Sequence, residues 1–291
     1  MEHRAEDIAP ISAYREFAPR AELREYVRAL AWFGPASEVV GSRAPTREFY
    51  VGDYDALTPS FADAQSSLLF ALGVSYRNNR WRPSSDVDST VMGAMTRATQ
   101  PSGEERSGMI GVYLQPRGSI ALLGVRASEL TDRIFALGDL WKGFASPERP
   151  SLESIEALLV RRLSISSSPD RAMQIADLAT HVRALGGRVS VTQMAELTGL
   201  SRQHLRRLFL EYIGVSPDLY ARLARFRAGL RCVGELESAG GWSRLAAQLG
   251  YADQSHLIAE FREFTSYTPT QLAVGNRFHP FIGDDGGVRS E

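Results

Sequence analysis

Apolar residues fall at three- and four-residue steps in two stretches of the chain, and the second stretch repeats the first. Leu205, Leu208, Phe209 and Tyr212 make one stripe; Leu257, Phe261 and Phe264 make the other. Leu205, Phe209 and Pro217 recur as Leu257, Phe261 and Pro269 at a constant offset of 52, whereas Ala195 and Gly199 recur as Ala246 and Gly250 at an offset of 51. Each copy predicts a helix, a glycine turn and a second helix, the turn being one residue longer in the second copy. Ser190 with Gln193 three residues on predicts a capping box for the first helix, whose inner side is expected to carry Met194, Ala195 and Leu197. Ala195 and Ala246 are small where the second helix must cross closely. Gly199 and Gly250 suit a left-handed exit from a helix, and Ser201 and Asp253 suit the N-caps of the next. The same phase directs Arg202, Gln203, Arg206 and Arg207 outward or to the flanks in the first copy. In the second it directs Gln254, Ser255, Ile258, Ala259 and Arg262 outward.

Between the copies, residues 217 to about 236 read as one long helix, roughly 28–30 Å at 1.5 Å per residue. Successive major grooves on one face of B-DNA lie ~34 Å apart, so such a helix can hold two outward faces near consecutive grooves. Gly229 and Gly234 weaken it by up to ~1 kcal/mol each against Ala, so packing must hold it straight.

Upstream the period changes. Alternating or continuous short apolar runs at 29–33, 48–51, 66–74, 91–96 and 109–114, with a further strand near 14–17, are punctuated by Gly, Pro, Ser, Asn and Asp. That spacing predicts a small β sandwich or barrel. Residues 19–27 read as a short helix with Leu23, Tyr26 and Val27 inward. Further helical pieces are expected at 119–123, 127–132, 134–140 and, with Ile155, Leu158, Leu159 and Leu163 on one face, at 151–164. The run Ser-Ile-Ser-Ser-Ser-Pro-Asp at 164–170 reads as a linker before a helix over 169–185 that stops at Gly186-Gly187. The expected class is α+β: a β-rich domain with trailing helices over 1–165, a linker at 166–171, an all-helical domain over 172–279 and a disordered tail over 280–291.

Composition narrows the function. The 291 residues are 44% hydrophobic, and no apolar run reaches the ~18 residues of a membrane span. The N-terminus lacks a signal-peptide core, and Cys232 is the one cysteine, so a soluble cytoplasmic protein without internal disulfides is expected. The net charge is −1, yet residues 172–279 carry 12 Arg against 9 Asp and Glu, a weak cationic bias toward nucleic acid. Lys142 is the single lysine among 33 basic residues, a bias that gives no one arginine extra weight. Residues 4–180 contain no histidine, and the chain shows no phosphate loop, nucleophile elbow or Cys/His pair. No catalytic residue, metal site or cofactor is therefore expected. The run Arg77-Asn-Asn-Arg-Trp-Arg82 fits either an effector pocket or an exposed hairpin loop. Tyr50, Tyr54, Phe70, Tyr76, Trp81 and Tyr113 fit either a cavity wall or a β core.

Residues about 172–276 closely resemble the AraC/XylS family of bacterial transcription regulators. The resemblance rests on Ala195, Gly199-Leu-Ser201, Leu205, Leu208-Phe209, Gly214-Val-Ser-Pro217, Tyr220 and Arg225. In the second copy it rests on Gly250-Tyr-Ala-Asp-Gln-Ser-His-Leu257, Phe261 and Thr268-Pro269. Less specifically, Phe17-Ala-Pro19, Leu23, Tyr26-Val27, Gly111-Val-Tyr-Leu-Gln-Pro116, Ala127-Ser-Glu-Leu-Thr-Asp132 and Leu137 look like the β-rich sensor domain of one branch of that family. The resemblance implies a seven-helix domain with two helix-turn-helix units, binding to double-stranded promoter DNA as a homodimer, and a role as an activator in contact with RNA polymerase. It also implies a small-molecule effector or dimer contact in the first domain.

The expected DNA-contacting residues are Ser201, Arg202, Gln203, His204, Arg206 and Arg207 in the first unit and Gln254, Ser255, His256 and Arg262 in the second. Arg206 can bond guanine and Gln203 adenine bidentately, while Arg202 and Arg207 suit phosphates. His256 fits either DNA contact or stacking on its neighbours. Trp242 is expected in the core, and Arg222 and Arg225 paired with acids. Two departures matter. Ser266 stands where the family has glycine, which predicts a distorted helix end. Ile258-Ala259 stands where many members carry a polar residue and then arginine, so the first unit is expected to carry more of the discrimination. The competing reading is a ligand-binding or catalytic β domain whose helical module serves a role away from DNA.

Overall fold

The structure is a computed structural model that describes residues 12–274 apart from 36, 39, 41, 52–61, 78–79, 85–87, 99–105, 148 and 234–240. The expected disordered tail, Tyr54 and Gly234 lie outside the described residues.

The β-rich domain holds β1 (Ser12–Phe17), β2 (Val27–Pro35), β3 (Arg47–Val51), β4 (Ser67–Arg77), β5 (Arg80–Pro83), β6 (Thr90–Met92), β7 (Arg106–Leu114) and β8 (Ile134–Ala136). All pair antiparallel in one sheet, ordered β3-β1-β2-β7-β4-β6-β8, with β5 folded back on β4. Of the polar run 77–82, Arg77 pairs with Arg80 and Tyr76 stands opposite Trp81, while Asn78 and Asn79 lie outside the described residues.

Alternation along the strands separates two faces. One face carries Ala13, Phe17, Leu30, Trp32, Phe70, Ile110 and Val112 into the main core. There they meet α1 (Pro116–Leu123), α2 (Ala127–Leu130), α3 (Leu137–Leu140) and α4 (Leu152–Ser164). The other face carries Tyr14, Ala29, Ala31, Phe33 and Tyr113. Phe70 and Tyr113 are thus both core residues, on opposite faces.

The helix expected over 19–27 is not there. A single 3-10 turn spans Ala21–Leu23, and by Val27 the chain has joined β2 opposite Leu114. Leu23 and Val27 are buried as expected, but a helix there would forfeit the backbone ladder of the central strand pair. Glu156 of α4, fully buried, accepts from the Arg20 amide at 2.9 Å and pairs with Arg43 at 3.1 Å, which fastens the trailing helix to the sheet.

The helical region comprises α5 (Asp170–Ala184), α6 (Val191–Thr198), α7 (Arg202–Tyr212), α8 (Pro217–Val233), α9 (Gly241–Leu249), α10 (Gln254–Thr265) and α11 (Pro269–Val274). It has two cores. Ile175, Met194, Leu205, Phe209 and Tyr220 form one; Phe226, Leu230, Trp242, Leu257, Phe261 and Phe264 form the other. Helix α8 belongs to both. Its Tyr220 meets Phe209 edge-on at 5.8 Å, and its Phe226 meets Phe261 at 5.1 Å and Phe264 at 5.3 Å. Gly229 admits this packing, since a Cβ there would lie 3.1 Å from both Leu249 and Phe261. Among the described residues no helix is long and apolar enough to cross a membrane.

Candidate nucleic-acid interface

The first unit is α6, the turn Gly199-Leu-Ser201 and α7. Ser190 and Gln193 form the expected reciprocal cap, Gly199 is left-handed at φ 64°, and the Ser201 hydroxyl accepts from the His204 amide at 3.2 Å. The second unit is α9, the turn 250–253 and α10. Gly250 is left-handed at φ 77°, and Asp253 caps α10 through the His256 amide at 2.8 Å. Three residues separate α6 from α7 and four separate α9 from α10, the asymmetry the sequence offsets require.

Burying Leu205, Leu208 and Phe209 leaves Ser201, Arg202, Gln203, Arg206 and Arg207 exposed on α7, with His204 half-buried. An open concavity of about 530 Å³ runs along this face, lined by Ser201, Gln203, His204, Arg206, Arg207 and Leu210. The arginines differ. Arg207 donates to Glu211 at 3.5 Å and lies 3.0 Å from His204 Nε2, so neighbours on its own helix hold it. Arg202 and Arg206 make no ion pair among the described residues, which leaves their guanidinium donors to an outside acceptor.

In the second unit Ser255, His256 and Arg262 are exposed, while Gln254 is half-buried and its Oε1 accepts from Ser243 Oγ at 2.8 Å. Ser243, on α9, had no signal in the sequence, because the contact joins two helices across a turn. His256 meets Tyr251 edge-on at 5.3 Å, so the stacking reading of this histidine holds alongside its exposure. Ile258 is half-buried against the second core rather than facing out. Leu197 moves the other way. It was expected inward but is 61% exposed. At about 100° per residue, the direction between Met194 and Ala195 points inward, and Leu197 falls well off it.

Beneath α10 lies a charged set around one buried glutamate. Glu260, 2% exposed, accepts from Arg222 at 2.6 Å, and Arg222 also reaches Glu263 at 2.5 Å. Burial works against the Arg222 charge, but the hydrogen bonds to Glu260 and Glu263 outweigh it and raise its pKa. Arg222 thus pairs with acids as expected. Arg225 does not: its guanidinium stacks on Tyr251 at 5.2 Å and donates to the Gly187 carbonyl at 3.4 Å. Burial first, and Glu260 second, push the Tyr251 hydroxyl above the ordinary tyrosine range. Trp242 is buried in the second core, as expected.

The two units end differently. After α7, Gly214 is left-handed at φ 93° and lies against α2; a Cβ there would come within 2.7 Å of Thr131 Oγ1 and 3.0 Å of the Ala127 carbonyl. After α10, Ser266 takes the same left-handed turn at φ 67°, and its amide donates to the Arg262 carbonyl at 2.9 Å. That helix end is regular, not distorted: an exposed serine adopts a conformation that favours glycine.

Comparison with known proteins adds three findings. Residues 194–273 match a model described as "Helix-turn-helix domain", and residues 15–136 match one described as "Domain of unknown function (DUF6597)". No curated protein matches the chain. Among solved structures the chain is similar to the C-terminal domain of AraT, a response regulator from Geobacillus stearothermophilus. The identity is 14%, the match covers 40% of this chain and 96% of that one, and the TM-score is 0.33. It is also similar to ToxT from Vibrio cholerae O395, at 11% identity, 91% and 96% coverage and a TM-score of 0.40.

Proposed function

We propose that the chain is a DNA-binding transcription regulator of the AraC/XylS type and that it reads promoter DNA unequally with its two units; the match of residues 194–273 to a helix-turn-helix model supports the first part. The carrying observation is the exposed face of α7, where Gln203, Arg202 and Arg206 have no ion pair or side-chain hydrogen bond among the described residues, in a turn-and-helix frame capped at Ser201. On this reading Arg206 and Gln203 contact base edges, and Ser201, Arg202, His204 and Arg207 contact the backbone. In the second unit Gln254, Ser255, His256 and Arg262 make weaker contacts. Measuring Kd on a set of selected and single-base-changed duplexes tests the assignment. Arg206→Ala should relax the preference at one base pair, whereas Arg207→Ala should weaken all sequences about equally. Uniform loss from both would overturn it.

The β-rich domain is the part we assign to effector response. A buried polar set on its second face supports this. The Tyr14 hydroxyl donates to Glu16 at 3.0 Å, the Arg28 guanidinium lies 4.8 Å over the Tyr113 ring and 4.0 Å from Glu16 Oε1, and Arg28 Nε and Nη1 have no hydrogen-bond acceptor among the described residues. Burial raises the pKa of both tyrosines, so both are neutral near pH 7. Buried donors without an acceptor are costly, and a small molecule bearing acceptor oxygens would satisfy them. Melting curves with a panel of carboxylates and polyols test this: a shift in the native chain that Arg28→Met abolishes is the expected result. The family resemblance also supports a homodimer and a contact with RNA polymerase; sedimentation with and without operator DNA tests the first.

A further inference from the structure

Helix-turn-helix units joined by one helix are usually thought to be spaced by that helix. In this molecule the β-rich domain also holds both of them, at the ends of both reading helices. The strand expected over 91–96 stops at Met92, and the chain beyond it turns toward the helical region. Met95 and Asp63 form an isolated antiparallel bridge, each donating its amide to the other's carbonyl, at 2.7 and 2.8 Å. From this bridge Ala94 is buried in the first unit's core and Ala62 in the second's, while Ala64 packs against both. The Ala62 amide donates to the Phe264 carbonyl at the end of α10, at 3.2 Å. Asp63 Oδ2 pairs with Arg227 of α8 at 3.1 Å, the two side chains being 26% and 14% exposed. On the other side, Thr131 Oγ1 donates to the Gly214 carbonyl at 2.7 Å, at the end of α7. Asp132, left-handed at φ 57°, fixes that loop to the bridge by accepting from the Thr96 amide and hydroxyl at 2.6 and 2.7 Å.

The C-terminal ends of α7 and α10 are therefore pinned to one rigid piece of the first domain. A base pair added between two DNA sub-sites shifts them by ~3.4 Å and turns them by roughly 35°, so an error of that size at either end of α7 or α10 decides whether both units seat. We propose that Asp63 and Thr131 are positioning residues: through Arg227 and Gly214 they hold the two reading helices at one separation, so that the β-rich domain sets which spacing of DNA sub-sites is accepted. The proposal rests on the DNA-binding reading given above and adds a role that the linking helix alone does not supply.

The test uses the full chain and two single variants. Asp63→Asn replaces the oxygen facing Arg227 while keeping one for the Gln65 amide, which Asp63 Oδ1 accepts at 3.2 Å. Thr131→Val keeps the shape and removes the donor to Gly214. Each variant loosens one unit, and melting curves establish that each is folded. Duplexes selected by the native chain are rebuilt with the sub-sites one base pair closer or farther apart. The native chain should lose about tenfold or more in affinity on either shift, and each variant about threefold or less, with base preferences inside each sub-site unchanged. Undiminished spacing discrimination in both folded variants overturns the proposal, as does equal weakening at every spacing, which marks a merely stabilising contact. A native chain that selects no duplex at all overturns the DNA-binding reading first, before any variant is made.

Discussion

The two helix-turn-helix units share a frame and differ in what they present. Helix α7 carries three arginines against one glutamate; α10 carries one arginine against two glutamates. The cations of α7 reach outward, whereas the two glutamates of α10, Glu260 buried and Glu263 exposed, both hold Arg222 of the linking helix. Arg225, which the sequence alone pairs with acids, stacks on the second unit's Tyr251 instead, because planar guanidinium packs well on a ring beside a free carbonyl. The comparison teaches that repetition in sequence preserves the scaffold of a unit but not its task. The first copy exposes two arginines without an ion pair among the described residues, whereas the second ties its glutamates to the linking helix.

The largest effect that would break this comparison is at the matched helix ends. Gly214→Ala should destabilise the fold by about 3 kcal/mol, read from denaturant unfolding, because a Cβ strains the backbone and meets Thr131. The same kind of change made in reverse, Ser266→Gly, should alter stability by less than about 1 kcal/mol, since relief of strain is offset by a more flexible unfolded chain. Next in size, Arg206→Ala should lower affinity for the preferred duplex about 30-fold, and Arg262→Ala about threefold or less, in a fluorescence titration. If Arg262→Ala costs as much, the units are equal readers.

A smaller effect concerns pH. Tyr251, whose pKa is raised by burial, stands where the first unit has Leu200. A tyrosine with a raised folded pKa stabilises fully below the ordinary value near 10, and that contribution is lost as pH rises beyond it, when the unfolded chain ionises first. Tyr251→Phe should therefore make the fall in melting temperature above pH ~10 shallower. Leu200→Phe should leave it as it was.

The helical region was legible because its signals are local. Caps, glycine exits and apolar stripes repeat within about fifty residues, and each maps onto a structural feature here, from the Ser190 box to the longer second turn. Local signals also mislead where a neighbour decides. Leu23, Tyr26 and Val27 have helical spacing, yet the ladder to β7 claims Val27 for a strand. Leu197 has an apolar side chain with no core to enter. The exposed residues proposed to meet DNA, Arg202, Gln203 and Arg206, were readable as what remains once the stripe is buried. The partner of Gln254, and the bridge at Asp63 and Met95, were not. Ala62, Ala64 and Ala94 carry no chemistry of their own, and their roles arise only from contacts with residues far along the chain.

Helix α8 lends Tyr220 to one core and Phe226 to the other from a single rod. Neither unit then possesses a private interior, and melting either one exposes the rod that the other leans on. Amide hydrogens of α7 and α10 should accordingly exchange with deuterium in one cooperative opening, at a shared free energy, so that both readers persist or vanish together.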